Sequence, residues 1–447
     1  MRTTLEARWV VPIDAPPIPD GAVVLDGDTI EWVGAARHAP PTPHTESLGE
    51  VVLLPGLVNV HAHLDLTVLR GFLERLDFRE WIRTLTAARA QLTTDEFEAS
   101  AIVGVAEGLS AGITTFADTA PTDAALQAMG RMGVRGIAYL EVFGPDPAHA
   151  RDAVTELSQR VDAARRALPP RVRVGVSPHA PYSVSAALFA RTAHYARTEQ
   201  LPVAVHIAES EDESRLVQHG DGRWAEFLRG RGLSVAPLAR SSIALLDATD
   251  VLATRPLLIH AVRIDEQDAH RIAAHGASIA HCPVSNAKLG HGIAPLDVML
   301  ASDIAVGLGS DSVASNNQMD LLTEARTAVL MQCVRRARAD ALTGRDALYL
   351  ATLGGARALG WDDRIGSLTP GKAADLVAFP LDDLRSCPTA GPEDALIFAM
   401  PGARAREVWV DGVRLVQGGV HPRVGEATTV VQAAADRLQL WRATRDP

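Results

Sequence analysis

The chain has 447 residues, of which 47% are apolar and 22% charged, and its formal net charge at pH 7 is −11. This composition is that of a globular protein and excludes wholesale disorder. The length exceeds that of one ordinary domain. The acidic charge disfavours a nucleic acid or an anionic membrane as partner, because both need a positive field.

The cysteine count and the N-terminal sequence indicate the cellular compartment in which the protein is expected. Cys282, Cys333 and Cys387 stand far apart without C-x-x-C spacing, so we expect neither a disulfide framework nor a cysteine zinc knuckle. The N-terminus lacks the uninterrupted apolar segment of a signal peptide. No uncharged apolar run reaches the roughly 18 residues of a membrane span. We therefore expect a cytoplasmic protein.

Both ends of the chain contain short β-rich segments separated by tight turns. GAVVLDGDTIEWVG carries an Asp-Gly turn between apolar stretches, the pattern of a β-hairpin. GKAADLVAF and AREVWVDGVRLVQGG are similar, and the residues after Thr428 have the composition of a closing helix. We expect residues 1–53 and 366–447 to form one small β-sandwich domain together.

Residues 54–365 alternate apolar, β-branched runs with long segments of helical character. Such runs are typical of strands buried on both faces of a parallel sheet. Eight of them, each followed by a helical segment, predict an α/β fold, a (β/α)8 TIM-like barrel inserted in the small β-domain. The runs are LVNVHAH (57–63), GITTFAD (112–118), VRGIAYLEV (134–142), VRVGVSPH (172–179), PVAVH (202–206), PLLIH (256–260), ASIAHC (277–282) and DIAVGLGSD (303–311).

Several runs end in histidine or aspartate, at the barrel face where active sites lie. The first ends in His61 and His63, which point the same way because strand side chains alternate. The fifth ends in His206 and the eighth in Asp311. A lone histidine at a strand end is more often structural, but the joint pattern favours a metal site. Three imidazoles and a carboxylate suit zinc, or iron or manganese, so these four residues are the predicted ligands.

We expect one divalent metal in this site. A known binuclear barrel design bridges two metals through a carboxylated lysine on a middle strand. The only lysines, Lys288 and Lys372, lie outside the predicted strands, although a bridging glutamate or cysteine stays open. A catalytic metal leaves one position for water and lowers the pKa of that water towards about 7.

Two further residues are placed to handle protons. Glu209 follows closely after His206 and could carry a proton from the water to a leaving nitrogen. The acidic residues 211–213 that follow are typical of a solvated loop, an interpretation that applies less well to Glu209. His260 is either a fifth ligand or a residue that orients the water. We favour the second role, because the four predicted ligands already complete a tetrahedral site.

Other residues are candidates for contact with the substrate. Trp81 and Phe78 could cover the site, but aromatic residues three positions apart on an amphipathic helix more often belong to the core. Asp65 and Glu141 are candidate substrate contacts. The alternative for both is a buried salt bridge to one of the many arginines, with Arg70 as an obvious candidate.

The chain resembles the amidohydrolase superfamily, specifically its metal-dependent deaminases and chlorohydrolases. The resemblance implies hydrolysis at an amidine-like carbon of a nitrogen heterocycle, with one divalent metal held by the four ligands named above. It implies that Glu209 shuttles protons, that His260 and Asp311 position and deprotonate the water, and that His179 contacts the substrate. The matching motifs are LPGLVNVHAHLDLTVLRG, VGVSPHAPYSVS, VAVHIAES, LLIHAVRID, AHCPVSNAKLGHGIAPL, VGLGSDSVASNN and GSLTPGKAADLVAF.

Within this superfamily, LRG followed by DFREWI resembles both S-adenosylhomocysteine/methylthioadenosine deaminases and aminodeoxyfutalosine deaminases of menaquinone synthesis. HLDLT, AYLEVFG and GSDSVASNN are closer to the second group, so 6-amino-6-deoxyfutalosine is the favoured substrate. The alternatives are an S-adenosylhomocysteine/methylthioadenosine, adenosine-type or pterin deaminase, a triazine aminohydrolase or chlorohydrolase, and an amide or lactam hydrolase. The intact H-x-H pair and Glu209 disfavour a non-enzymatic scaffold. The expected partner is a small heterocyclic amine, while the metal's identity and a homo-oligomeric state stay open.

Overall fold

This computed structural model describes residues 2–382, 384–389, 391–419 and 424–444. Their strands belong to two kinds of sheet. Strands from both ends of the chain form a mixed sheet, and the strands between them are parallel. In chain order the strands are β1 (Arg2–Val10), β2 (Ile18–Asp26), β3 (Thr29–Ala35), β4 (His44–Ser47), β5 (Val51–Pro55), β6 (Leu57–Ala62), β7 (Ile113–Ala120), β8 (Arg135–Val142), β9 (Val172–Pro178), β10 (Ala204–Ile207), β11 (Leu257–His260), β12 (Ser278–His281), β13 (Val306–Leu308), β14 (Leu376–Pro380), β15 (Glu407–Val410) and β16 (Val413–Val416).

Helices connect the parallel strands and close the chain. The α-helices are α1 (Phe78–Arg89), α2 (Thr94–Ser110), α3 (Ala124–Met132), α4 (Ala150–Arg166), α5 (Ala186–Glu199), α6 (Glu211–His219), α7 (Gly222–Gly230), α8 (Ser242–Ala248), α9 (Glu266–His275), α10 (Pro283–Lys288), α11 (Leu296–Ala301), α12 (Val313–Asn316), α13 (Leu321–Arg336), α14 (Gly344–Ala351), α15 (Leu353–Ala358), α16 (Pro392–Asp394) and α17 (Ala427–Ala443). Short 3-10 turns cover Ala36–His38, Leu64–Leu69, Pro147–His149, Leu252–Thr254 and Leu384–Ser386, and a π-turn covers Ala395–Ala399.

The parallel strands β6 to β13 form the expected (β/α)8 barrel. They pair in two sets of four, β6 to β9 and β10 to β13. Parallel bridges between Val176 and Val203 and between Ala62 and Asp311 join the two sets and close the ring. Every residue of β6, β7 and β8 is buried, which explains why these strands read as continuous apolar runs. Each of the eight predicted runs overlaps one barrel strand.

The remaining strands form one hydrogen-bonded sheet in the order β16-β15-β14-β5-β1-β2-β3, with β4 added beside β1. The sheet is built from both ends of the chain because β14 pairs antiparallel with β5. It has its own apolar cluster, which includes Leu5, Val23 and Trp409. We propose a division close to 1–53 plus 366–447 and 54–365, although β5 continues to Pro55.

The predicted turns and closing helix are present. Gly27 between β2 and β3 and Gly412 between β15 and β16 have φ values of 62° and 70°, which favour glycine in these hairpin turns. Helix α17 packs on α2, where Arg437 donates to Glu96 at 2.7 Å. Among the described residues, the helices are too short or too polar to cross a lipid bilayer.

Candidate metal centre and substrate cavity

Four side chains meet where the barrel strands end. His61 lies on β6 with His63 just beyond it, His206 lies on β10, and Asp311 follows β13. Nε2 of His61 and Nε2 of His63 lie 3.3 and 3.6 Å from Oδ1 of Asp311. Nε2 of His206 lies 3.3 Å from Nε2 of His63. The fold therefore brings the four predicted ligands together.

The donor set fits a divalent cation. His61 is fully buried, yet neither of its ring nitrogens has a hydrogen-bond partner among the described residues. Nδ1 of buried His206 is also unpartnered. Buried polar atoms are normally paired, and a cation bound between the rings would satisfy one nitrogen of each, such as Nε2 of His61. Ligand atoms of His61, His63 and Asp311 lie within 4.8 Å of one another, as do those of His61, His206 and His260.

The histidines are held in the state that binds metals. Burial lowers the pKa of His63 to about 3 and lowers the pKa of His206 well below its usual value. Both rings are therefore neutral near pH 7, as metal coordination by imidazole requires.

Asp311 is fixed by several hydrogen bonds. Its Oδ2 accepts from the hydroxyls of Ser285 and Ser315, and its Oδ1 accepts from the backbone N–H of Ser312 at 2.7 Å. Burial alone would raise the pKa of Asp311, but the neighbouring His61 holds it well below the usual range. The carboxylate is therefore ionised. Asp311 also has a φ of 55°, a backbone strain that often marks functional positions.

Glu209 and His260 face each other beside the four ligands. Oε1 of Glu209 lies 3.5 Å from Nε2 of His260 and 3.2 Å from Nε2 of His291. Nδ1 of His260 lies 3.0 Å from Oδ1 of Asn286. Burial raises the pKa of Glu209, but His260 and His291 outweigh it and lower the pKa below the usual value. Glu209 is thus an anion that can accept a proton.

Glu213 holds the turn that carries Glu209. One of its oxygens accepts from the backbone N–H of Ala208 at 2.7 Å and from the Ser242 hydroxyl at 2.6 Å. The other accepts from the backbone N–H of Glu209 at 3.3 Å. Ala208 has a φ of 51°, which is unfavourable for a residue with a side chain, so the turn needs this support.

The prediction of a solvated acidic loop was therefore wrong for Glu213, which is completely buried. Ser210 caps helix α6 by accepting from the backbone N–H of Glu213. The helix begins at Glu211, shortly after β10 ends at Ile207, and its first turn directs the Glu213 carboxyl towards the backbone of Ala208 and Glu209. Burial raises the pKa of Glu213 to about 7.

A cavity of about 460 Å³ opens over the cluster and has a largely aromatic wall. Tyr182 and Trp224 stack with their ring centroids 4.4 Å apart, and Phe227 lies next to Trp224. Phe78 and Trp81 from α1 also line the cavity, and Trp81 belongs to an apolar cluster as well. The position of Trp81 is thus compatible both with a role in covering the site and with a role in the apolar core. A flat heterocycle suits such a wall, because aromatic rings stack favourably.

The other candidate substrate contacts differ in position. His179 and Glu141 line the cavity, and burial raises the pKa of Glu141 to about 8. Asp65 is fully buried and is not part of the cavity lining. Its Oδ2 accepts from Arg89 at 3.2 Å, and Arg89 itself lines the cavity. The arginine beside Asp65 is thus Arg89 and not Arg70, which pairs with Glu107.

Sequence reasoning missed several residues of the site. Ser285, Asn286 and His291 all lie within the motif AHCPVSNAKLGHGIAPL, so their clustering near the ligands was a detectable signal. Ser315 lies within VGLGSDSVASNN in the same way, whereas Arg89 had no such signal. Lys288 ends α10 and pairs with Glu74 at 2.8 Å, so it lies outside the barrel strands as expected.

A barrel with histidines and a carboxylate gathered at the ends of its strands defines a metal-dependent hydrolase of the TIM-barrel class. The amidohydrolase family model matches residues 52–415, and the chain belongs to this family. This confirms the expected superfamily and the expectation of an enzyme that hydrolyses C–N bonds.

Relatives and solved structures agree with this assignment. A 5-methylthioadenosine/S-adenosylhomocysteine deaminase of Nitratidesulfovibrio vulgaris is 34% identical over 427 residues, 93% of this chain and 92% of the relative. A protein of the same name from Desulforudis audaxviator is 32% identical and covers 97% of both chains. A zinc-bound adenosine deaminase of Xanthomonas campestris has a TM-score of 0.86 at 28% identity over 98% of both chains. The aminofutalosine deaminase of Helicobacter pylori, with a TM-score of 0.80 at 19% identity over 93% of this chain and 100% of that chain, shares the fold.

Proposed function

We propose that this protein hydrolyses the exocyclic C–N bond of a 6-aminopurine nucleoside. Water adds its oxygen to the ring carbon, ammonia leaves, and the product carries an oxo group there. The observation that supports this most directly is the placement of Glu209, between His260 and His291 and beside the ligand cluster, on the wall of an aromatic cavity. The relatives named as nucleoside deaminases support the same reaction.

His61, His63, His206 and Asp311 are the proposed ligands of one divalent metal. Zinc is the proposed ion, because three imidazoles and one carboxylate are a typical zinc set and a related adenosine deaminase binds zinc. When bound, such an ion supplies Lewis acidity and lowers the pKa of water towards neutrality.

The chain's own residues are proposed to move the protons. The Glu209 carboxylate accepts a proton from the attacking water and delivers it to the ring nitrogen next to the reacting carbon. Asp311, ionised and held by Ser285 and Ser315, assists in deprotonating the water, and His260 orients it. The second proton of the water leaves the hydroxyl on the reacting carbon and passes to the amino group, so the C–N bond breaks, ammonia leaves and the oxo group forms.

The aromatic wall of the cavity favours a nucleoside that carries an additional group on its 5′ carbon. Six aromatic side chains line the cavity, and its volume of about 460 Å³ is larger than a purine ring alone needs. The names of the relatives favour 5-methylthioadenosine and S-adenosylhomocysteine over 6-amino-6-deoxyfutalosine, which the sequence motifs alone favour. His179, Glu141 and Trp81 are the proposed contacts with the substrate. Asp65 is proposed to act through Arg89.

The test is ammonia release from a panel of substrates by purified, metal-loaded enzyme. The panel contains adenosine, 5-methylthioadenosine, S-adenosylhomocysteine and 6-amino-6-deoxyfutalosine, with a pterin, a chlorotriazine and a lactam as comparisons. We expect turnover of the 5′-substituted nucleosides with kcat/KM above that for adenosine. Inactivity on every aminopurine combined with turnover of the triazine or the lactam would overturn the proposal.

A further inference from the structure

A second, smaller cavity lies at the opposite end of the barrel from the metal centre. Its volume is about 80 Å³, and four of the residues that line it are arginines: Arg135, Arg171, Arg173 and Arg364. Arg135 begins β8, and Arg171 and Arg173 flank the first residue of β9. The strands are parallel, so this arginine cavity lies at their amino ends, while the metal centre lies at their carboxyl ends.

The positive charge of the arginine cavity is only partly neutralised. Arg135 and Arg171 share Asp411, and Arg135 also pairs with Asp375 at 2.9 Å. Arg173 and Arg364 form no ion pair with any residue that the structure describes. Both are exposed, and the Arg173 guanidinium lies over the Trp361 ring, 5.1 Å from its centroid. Four guanidinium groups thus meet two carboxylates here, and clustered like charges of this kind favour an anionic ligand.

Asp362 and Asp363 precede Arg364 in the chain and, like Arg364, are exposed, but they do not line the arginine cavity. Among the described residues, Asp411 is the one acidic residue in its lining.

One buried donor in the cavity lining has no acceptor. Trp361 is 5% exposed, and its Nε1 is unpartnered within the described chain. Arg135 is 4% exposed, and its Nε and Nη2 donate to Asp375 and Asp411. A buried donor without an acceptor is costly, and an oxyanion could satisfy it.

We infer that the arginine cavity binds a phosphate group, either as the free ion or as the phosphate of a monoester. Guanidinium groups bind phosphate oxygens through paired, charge-assisted hydrogen bonds. The volume suits one tetrahedral oxyanion. A larger cavity of about 660 Å³ shares Arg173 and is also lined by Arg197 and Arg255, so it offers space for the organic part of an ester.

Phosphate bound here would also connect the two parts of the fold. Asp375 immediately precedes β14, and Asp411 lies in the turn between β15 and β16, so both belong to the mixed sheet. Arg135 and Arg171 belong to the barrel. A ligand that binds only the folded protein stabilises it by mass action, so phosphate raises the unfolding temperature. This site is independent of the proposed deaminase activity.

Calorimetric titration of the full chain with inorganic phosphate and with ribose 5-phosphate, at constant ionic strength, tests the inference. Wild type is compared with Arg173→Gln and Arg364→Gln, which break no ion pair and are therefore expected to fold. Each variant should weaken phosphate binding by roughly 10-fold or more, the scale of one charge-assisted hydrogen bond. Arg191→Gln, an exposed arginine on α5 that lines neither cavity, is the matched control and should bind as wild type does.

The two ligands distinguish the source of the phosphate. Tighter binding of ribose 5-phosphate identifies an ester that also uses the larger cavity, and equal or tighter binding of inorganic phosphate identifies the free ion. The inference is overturned if neither ligand shows saturable binding in the millimolar range. It is also overturned if the Arg173 and Arg364 variants bind phosphate, and are stabilised by it against heat, as wild type is.

Discussion

Oε1 of Glu209 lies 3.5 Å from Nε2 of His260, and both side chains are almost completely buried. The other ring nitrogen of His260 faces the amide oxygen of Asn286, which can only accept a hydrogen bond. Nδ1 therefore carries a hydrogen. Nε2 faces Glu209, so the proposed proton carrier lies directly beside the residue proposed to orient the water.

Replacement of this carboxyl tests the proton transfer. We expect Glu209→Gln to lower kcat by at least about 100-fold, because general acid–base catalysis contributes on that scale. Metal content should stay at the wild-type level, since Glu209 is not a proposed ligand. Glu211→Gln is the matched control, because Glu211 is exposed and makes only a surface ion pair with Arg263. Near-wild-type turnover by Glu209→Gln would contradict the proposed role.

Removal of one ligand tests the metal site. We expect His63→Ala to lose bound metal and activity together, because the remaining three ligands hold the ion less tightly. Elemental analysis of the purified proteins measures this and should find one equivalent per active wild-type chain. His194→Ala, which changes an exposed histidine on α5, should leave both quantities unchanged. Two equivalents in the active enzyme, or an active His63→Ala that keeps its metal, would argue against the mononuclear site.

Glu213 is a positioning residue, and its replacement should affect kcat more than KM. Glu213→Gln disturbs the hydrogen bonds to the backbone of Ala208 and Glu209, so Glu209 is aimed less well. Small misplacements of a catalytic group reduce rates by about 10- to 100-fold. We expect such a fall in kcat with unchanged metal content and unchanged KM. Asp212→Asn, in the same helical turn, should behave as wild type, and an equal effect of both variants would refute the assignment.

The pKa of Glu213 also predicts a pH dependence of stability. Its folded-state pKa is raised to about 7 by burial, whereas glutamate in an unfolded chain has a pKa of about 4.3. The folded state binds this proton more tightly, so the contribution to stability is full below about pH 4.3 and is lost as the pH rises towards 7.

Thermal unfolding of the wild type and of Glu213→Gln, measured at several pH values, tests this effect. The fall in unfolding temperature between about pH 5 and pH 8 should be smaller in the variant. The comparison isolates Glu213, because buried groups with a similarly raised pKa, such as Glu141, are present in both proteins. Parallel pH profiles would show that Glu213 does not titrate in this range.

The sequence by itself determined the barrel and the ligand cluster. Buried parallel strands must be apolar on both faces, so each run of β-branched residues revealed a strand, and polar residues at the ends of those runs were conspicuous. Parallel strands place their carboxyl ends on one face, so His61, His206 and Asp311 had to converge although they are far apart in the chain. The Asp-Gly turns revealed the hairpins at both ends in the same way.

The tertiary structure alone decided how the surroundings of the cluster are arranged. Local periodicity does not report the direction in which a loop or a first helical turn faces, so Glu213 could not be distinguished from its exposed neighbours. The partner of Asp65 is Arg89 because the turn after β6 packs against the end of α1, and sequence proximity pointed instead to Arg70. The arginine cavity likewise depends on contacts between the barrel and a sheet built from both chain ends, and such distant contacts leave no local pattern.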